Sequence, residues 1–134
     1  MKSVKIVLLA VVMALMVSCG TTRVVPISGR TQTLLVNDEQ VLSLSNQEYS
    51  NFMKSAKVST NSAKTAMVKR VGQRLASAVE SYLKSNGLSS EVKNFSWEFN
   101  LVQNKEANAF CMPGGKIVVY EGLLPYTQNE ASLA

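Results

Sequence analysis

The spacing of apolar residues changes along this chain, from a helical period to a period of two. Four apolar residues recur at intervals of three and four after a possible capping box, Ser45-Asn46-Gln47-Glu48, and predict one helix: Tyr49, Phe52, Met53 and Ala56. A longer amphipathic stretch opens at a cap formed by Thr60 or Asn61 and stops at Asn86-Gly87. Two helices are therefore expected first.

The second half of the chain shows the pattern of strands. From Phe95 onward apolar and polar residues alternate, as in a strand with one buried face. Further strands are predicted over residues 107–112 and 116–120, joined by a Pro113-Gly114-Gly115 turn. A helix start follows at Asn129. This order predicts an α+β fold in which a small antiparallel or mixed three-stranded sheet with a hairpin follows two helices.

The N-terminus reads as a targeting segment. A basic start at residues 1–5 precedes an uncharged apolar run over residues 6–17, which is short for a membrane span. Ser18 directly before Cys19 favours a bacterial lipoprotein signal, with lipid attached to Cys19. The alternative is an ordinary cleaved signal in which Cys19 has no role. We expect residues 1–18 to be the signal, 19–33 a lipidated tether, and 34–134 the folded domain.

Charge and cysteine content narrow the function further. The net charge falls from +5 to +3 when Lys2 and Lys5 are set aside with the leader, and the remaining basic residues are scattered. Nucleic acid is therefore not an expected partner. With Cys19 acylated, Cys111 is the remaining thiol and is expected to be a small buried apolar residue. Several acyl chains on Cys19 predict a stable membrane anchor. Residues 20–23 after the cysteine carry no acidic retention or surface-export run, which favours an outer-membrane location facing the periplasm.

The end of the chain carries motifs that stand in register: Asn108-Ala109-Phe110, Pro113-Gly114-Gly115, Gly122-Leu123-Leu124 and Asn129-Glu130-Ala131-Ser132-Leu133-Ala134. Together they resemble the membrane-associated zinc metallopeptidases of metallopeptidase family forty-eight. That family includes HtpX-, BepA- and LoiP-like proteins and CAAX prenyl proteases. In the family the last of these segments leads into a His-Glu-x-x-His helix, which we expect to lie beyond Ala134.

The resemblance implies that residues 34–134 are the N-terminal portion of a metallopeptidase catalytic domain. This would be an incomplete zincin-like domain with a peptide-binding strand beside the zinc. Substrate is expected to add as a strand to the edge at residues 107–110. The Asn108 amide and the Ala109 carbonyl are expected to bond its main chain, and Phe110 to pack beneath the site. Zinc is the expected cofactor of the full-length parent, but the chain has no histidine, so neither a metal ligand nor a catalytic residue is expected within it. Glu130 is expected to complement a helix dipole.

These patterns favour the N-terminal portion of a membrane-anchored zinc-dependent metalloendopeptidase, engaged in periplasmic protein quality control and inactive by itself. Its expected partners are protein or peptide substrates and a membrane. One alternative is a non-enzymatic periplasmic lipoprotein that acts as a binding or assembly module. Another is a family member that has lost its metal motif and acts as a chaperone or scaffold.

Overall fold

The computed structural model describes residues 21–25 and 28–134 of the chain, so the expected leader and Cys19 lie outside the described residues. In chain order the described elements are the strands β1 (Thr21–Val24) and β2 (Thr31–Leu34), the helices α1 (Asp38–Ser55), α2 (Ser62–Ser85) and α3 (Ser89–Val92), the strands β3 (Glu98–Val102), β4 (Ala109–Met112) and β5 (Lys116–Tyr120), a 3₁₀ turn at Glu121–Leu123, and the helices α4 (Leu124–Thr127) and α5 (Glu130–Leu133). The predicted α+β class is confirmed.

The chain divides into two units, the first of which reaches to Gln40. Its described part contains an antiparallel hairpin in which Thr22 of β1 lies opposite Thr33 of β2. An ion pair of 2.8 Å joins Arg23 to Asp38, near the start of α1. The stretch expected to be a tether thus contains two strands, whose mostly polar sequence gave no apolar alternation to reveal them.

The first helix begins at Asp38, so the capping box predicted at Ser45 is wrong. The cap lies earlier, where the Asn37 side chain accepts from the Gln40 amide over 2.8 Å and the Gln40 side chain accepts from the Asn37 amide over 3.3 Å. Ser45 is buried within the helix, and its hydroxyl donates to the Pro113 carbonyl over 2.7 Å. A serine with a buried acceptor fits inside a helix, which is why the local pattern misled.

The second helix matches its prediction at both ends. Asn61 caps it by accepting from the Lys64 amide over 3.0 Å, and Gly87 follows its C-terminal cap with a φ of +74°. Gly72 lies inside this helix, where glycine is normally unfavourable, and packing against the sheet explains its presence. A Cβ at Gly72 would lie 2.2 Å from a ring carbon of Phe99 on β3, so the absence of a side chain lets α2 approach the sheet.

The three later strands form a mixed sheet with the order β3-β5-β4. β5 lies in the centre, parallel to β3 and antiparallel to β4. The Pro113-Gly114-Gly115 turn joins β4 to β5 as predicted, and Gly114 and Gly115 take φ values of +86° and +83°. The Trp97 ring lies so close to Gly115 that a Cβ there would clash at 2.5 Å.

The sheet separates two apolar clusters, one on each face. On the α2 face, Val68 packs with Leu101, Val119 and Leu124. On the α1 face the buried members are Tyr49, Val102 and Val118, and the half-buried residues around them are Phe52, Met53, Ala56, Phe110, Met112 and Tyr120. Among the described helices, none combines the length and apolar content needed to cross a membrane.

Candidate functional site

The outer edge of β4 is open. Among the described residues only β5 pairs with this strand. The Tyr120 amide donates to the Asn108 carbonyl over 3.0 Å, which fixes the phase of the ladder. Residues of an antiparallel strand point their main-chain groups alternately toward and away from the partner, so Ala109 and Cys111 direct theirs away from β5. An extended peptide can therefore meet main-chain donors and acceptors that β5 does not use.

The three predicted substrate-binding residues lie at the start of this edge. Asn108 is exposed, its main-chain N–H donates to the Glu106 carbonyl over 3.1 Å, and its carbonyl accepts from the Tyr120 amide over 3.0 Å. Its side-chain amide is therefore its remaining polar group. Ala109 is exposed, with its carbonyl directed to the open edge. Phe110 is half-buried, and its ring meets that of Phe52 edge to face at a centroid distance of 5.2 Å. Their role in binding stays a prediction.

The opposite edge of the sheet is partly covered. A short segment after α1 forms an isolated bridge to the end of β3, between Val58 and Val102. The Ser59 amide donates to the Leu101 carbonyl over 2.8 Å, and the Gln103 amide donates to the Lys57 carbonyl over 2.7 Å. The chain thus occupies the C-terminal end of the β3 edge itself.

A polar cluster lies on the α1 face near the β3 edge. Lys116 is only 4% exposed, and its ammonium donates over 2.6 Å to both the Glu98 carboxylate and the Ser96 carbonyl. The Tyr49 hydroxyl donates to the other Glu98 oxygen over 3.1 Å and accepts from the Asn100 side-chain amide. Every charged or polar end in the cluster therefore has a partner, which is what allows a lysine to be buried here.

The cluster changes the acidity of two of its members. The hydrogen bond from Lys116 lowers the pKa of the Glu98 carboxyl, whose side chain remains 48% exposed. Burial, followed by the bond to Glu98 and its charge, raises the pKa of Tyr49 to about 12. Both shifts favour the protonation states found near neutral pH: an ionised carboxylate and a neutral phenol. The cluster therefore stabilises the contact between α1 and the sheet and has no group poised for acid–base chemistry.

The start of α5 is held against α2 by charge as well as by its cap. The Asn129 side chain accepts from the Ser132 amide over 2.9 Å and so caps the helix whose start was predicted here. Glu130 also accepts from the Arg70 guanidinium, and Arg74 lies 3.7 Å from its second oxygen. The hydrogen bond from Arg70 lowers the pKa of Glu130. Glu130 therefore has a tertiary partner besides the helix dipole that the sequence suggested.

Cys111 is exposed, so the expectation of a buried thiol is wrong. Strand alternation is the reason: Phe110 and Met112 turn toward α1, and Cys111 turns to the other face at the outermost strand. Partial burial of the sulfur nevertheless raises the pKa of the thiol. The thiol group lies 3.6 Å from the Met112 carbonyl, to which it donates.

The residues present do not fit a zinc site. The chain contains no histidine. Within residues 21–25 and 28–134, no three His, Cys, Asp or Glu side chains gather closely enough to hold a metal ion. Glu98 is bound to Lys116, and Glu130 is bound to Arg70. The described part of the chain therefore has an open strand edge and no cluster of side chains that could hold a metal ion.

Sequence reasoning missed the polar cluster around Lys116 entirely. Lys116 opens a strand after a glycine turn, a position that usually points into solvent, and Glu98 sits in an alternating pattern as an outward residue. Their proximity depends on the parallel pairing that sets Glu98 opposite Lys116. This pairing register could not be predicted, because the residues next to Glu98 or Lys116 in sequence do not specify it.

Comparison with known proteins identifies a family whose match covers the sheet and its open edge. The family model described as Peptidase family M48 matches residues 62–134, more than half of the chain, from the first turn of α2 through the open edge to α5. The chain belongs to Peptidase family M48. The family predicted from the motifs is thereby confirmed, although the matches do not specify a subfamily.

Similar proteins share the name OMA1. The mitochondrial metalloendopeptidase OMA1 of Arabidopsis thaliana is 41% identical over 51 residues, which are 38% of this chain and 10% of that protein. The mitochondrial metalloendopeptidase OMA1 of Homo sapiens is 32% identical over 99 residues, 74% of this chain and 18% of the relative. The Schizosaccharomyces pombe protein is 40% identical over 45 residues, 34% of this chain and 13% of its own. The chain thus spans less than a fifth of these relatives.

These relatives also correct one expectation. Their names place them in mitochondria, so the prediction of a bacterial outer-membrane location facing the periplasm is wrong. The prediction depended on a small residue before Cys19 and on the few residues around it, and so short a pattern does not specify one membrane. Lipidation of Cys19 stays a prediction, because Cys19 lies outside the described residues.

Proposed function

We propose that this chain supplies the substrate-binding strand of a zinc-dependent metalloendopeptidase. The open edge of β4 is the observation that carries the proposal, because main-chain bonds to an added strand bind peptides of any sequence. Membership of Peptidase family M48 and the metalloendopeptidase names of the relatives support proteolysis as the use of that edge. Because an added strand must be extended, the substrates are proteins with locally unfolded segments.

Each edge residue has a specific part in this proposal. The Ala109 N–H and carbonyl bond the peptide main chain, and those of Cys111, the next outward-facing residue, extend the ladder. The Asn108 side-chain amide binds a further peptide carbonyl. Phe110 packs beneath the edge, against Phe52 on α1, and so keeps β4 flat and in place.

Zinc belongs to the complete enzyme in this proposal, and its ligands come from outside these 134 residues. A zinc ion held by histidines has no ligands in a chain without histidine. We therefore expect that the chain incubated with zinc leaves peptide hydrolysis at background. Chelator-sensitive cleavage by the purified chain would contradict this assignment.

Proline at position 111 tests the edge directly. The Cys111 N–H faces away from β5, so proline there leaves the β4–β5 ladder complete but removes an outward donor and places ring carbons in the path of a peptide. We expect the C111P variant to bind a capped, fluorescein-labelled octapeptide of alternating Leu and Thr at least about tenfold more weakly, as measured by anisotropy.

The matched control is C111S, which keeps the N–H and changes only the side chain. It is expected to bind within about twofold of the wild type. Circular dichroism and a urea titration establish that both variants keep the fold. Equal binding by C111P and C111S, with both folded, would refute the open edge as the peptide site.

A further inference from the structure

The open edge has two different faces. Strand alternation places the Phe110 and Met112 side chains on the α1 face of β4 and the small Ala109 and Cys111 side chains on the other. A peptide strand added to β4 alternates in the same way. Every second side chain of the peptide therefore lies next to one of the two bulky residues.

The bulky side forms an accessible apolar wall, defined here as Phe52, Phe110 and Met112. Phe110 lies between two rings, edge to face with Phe52 at 5.2 Å and with Tyr120 at 6.2 Å. All of these side chains are half-buried, so apolar surface remains in reach of an added strand. The wall itself carries no charged atom.

The charged groups on this face of the sheet, Glu98 on β3 and Lys116 on β5, are bound to each other. Lys116 lies opposite Met112 of β4, but it is only 4% exposed and its ammonium binds the Glu98 carboxylate. A groove of about 510 Å³ beside this pair is lined mainly by polar side chains of α1, β3 and β5. The α1 face is thus polar at Glu98 and Asn100 of β3 and apolar over β4. A peptide side chain at the open edge meets the apolar part.

We propose that this apolar wall makes the open edge selective for extended segments that carry apolar side chains at alternate positions, an inference that rests on the proposed function. Directly opposed side chains of paired strands have Cβ atoms roughly 4.5–5.5 Å apart, close enough for a peptide leucine to cover the Phe110 ring. A polar side chain at the same place loses water without gaining a partner.

Alternating apolar residues identify a substrate class. They are typical of strands that bury one face in a folded protein. Such segments become available when the protein that contains them unfolds, and remain covered while it is folded. The wall therefore directs the edge toward the exposed strands of unfolded β-containing proteins.

Two labelled octapeptides test the wall on the full 134-residue chain. One alternates Leu and Thr, and the other is Thr throughout, so both can form the same main-chain ladder. We expect the Leu–Thr peptide to bind on the order of tenfold more tightly by anisotropy. The F110A variant is expected to reduce that ratio to about two, because it removes the ring that a peptide leucine covers.

F110L serves if the alanine variant does not fold, with a smaller expected loss of the ratio. L44A is the matched control, because Leu44 is an apolar residue on α1 that is 60% exposed and belongs to neither apolar cluster. It is expected to leave the ratio unchanged.

The possible outcomes distinguish failure of this inference from failure of the proposed function. Equal binding of both peptides by the wild type would overturn the selectivity and leave the edge as the peptide site. An unchanged ratio in folded F110A or F110L would overturn the assignment to the wall. Failure of both peptides to bind would remove the edge as a peptide site, and the selectivity with it.

Discussion

The two edges of the central sheet differ in what borders them. Beside β3, the chain's own segment 57–59 supplies main-chain partners, and the paired charges of Glu98 and Lys116 lie nearby. Beside β4, the described chain supplies no strand, and the neighbouring side chains are apolar. One edge is partly covered by the chain itself, and the other has no strand beside it among the described residues.

This difference separates stability from binding. The strand at the covered edge contains Leu101 and Val102, which are almost fully buried. The strand at the open edge contains no buried residue. A strand that contributes little to the core can present its main chain without much loss to the fold. We therefore expect mutations at the two edges to have different consequences.

The largest expected effect is at the covered edge. Leu101 is 0% exposed, so L101A leaves a cavity between β3 and α2 and should lower the free energy of unfolding by about 2–5 kcal/mol. Urea denaturation measures it. The same truncation at the exposed Leu44 should cost no more than about 0.5 kcal/mol. Similar losses for both variants would show that β3 does not carry the core.

A smaller effect should follow pH through the cluster at the covered edge. The folded-state pKa of Glu98 is lowered, so its contribution to stability is present above its ordinary pKa of 4.5 and is lost as pH falls through the lowered value. Tyr49 has the opposite sign: its contribution is complete below pH 10 and is lost as pH rises through about 12.

Variants E98Q and Y49F identify these contributions. Comparing the free energy of unfolding with that of the wild type across pH, E98Q should flatten the acid limb and Y49F the alkaline limb. Because Glu98 is half exposed, solvent screening keeps the acid effect modest. Wild-type slopes in both variants would show that the cluster does not couple α1 to the sheet.

The smallest effect is expected at the open edge. Cys111 is exposed, so C111S should change the free energy of unfolding by less than about 0.5 kcal/mol. Its raised thiol pKa should make alkylation of Cys111 slower at pH 7 than that of a free thiol, followed by peptide mass spectrometry. Rapid alkylation at neutral pH would show that the sulfur is fully solvated.

Local patterns were sufficient where a structure depends on neighbours in sequence. The cap at Asn61, the stop at Gly87 and the turn at Gly114-Gly115 were predicted because each depends on the conformation of a few consecutive residues. The cap predicted at Ser45 failed because its hydroxyl found the Pro113 carbonyl, 68 residues away. Cys111 was wrongly predicted to be buried because the burial of a strand residue depends on what covers its face of the sheet.

By itself, the sequence determined the order of the two long helices and the three later strands, the turn between β4 and β5, and the motifs that assign the family, since these are local or read directly from residue identity. Only the tertiary structure decided that β5 lies between β3 and β4, which leaves β4 at an edge. It also brought Lys116 to Glu98 and Arg70 to Glu130. Strand order and charge pairing join residues far apart in the chain, and no local preference specifies which of the possible partners they meet.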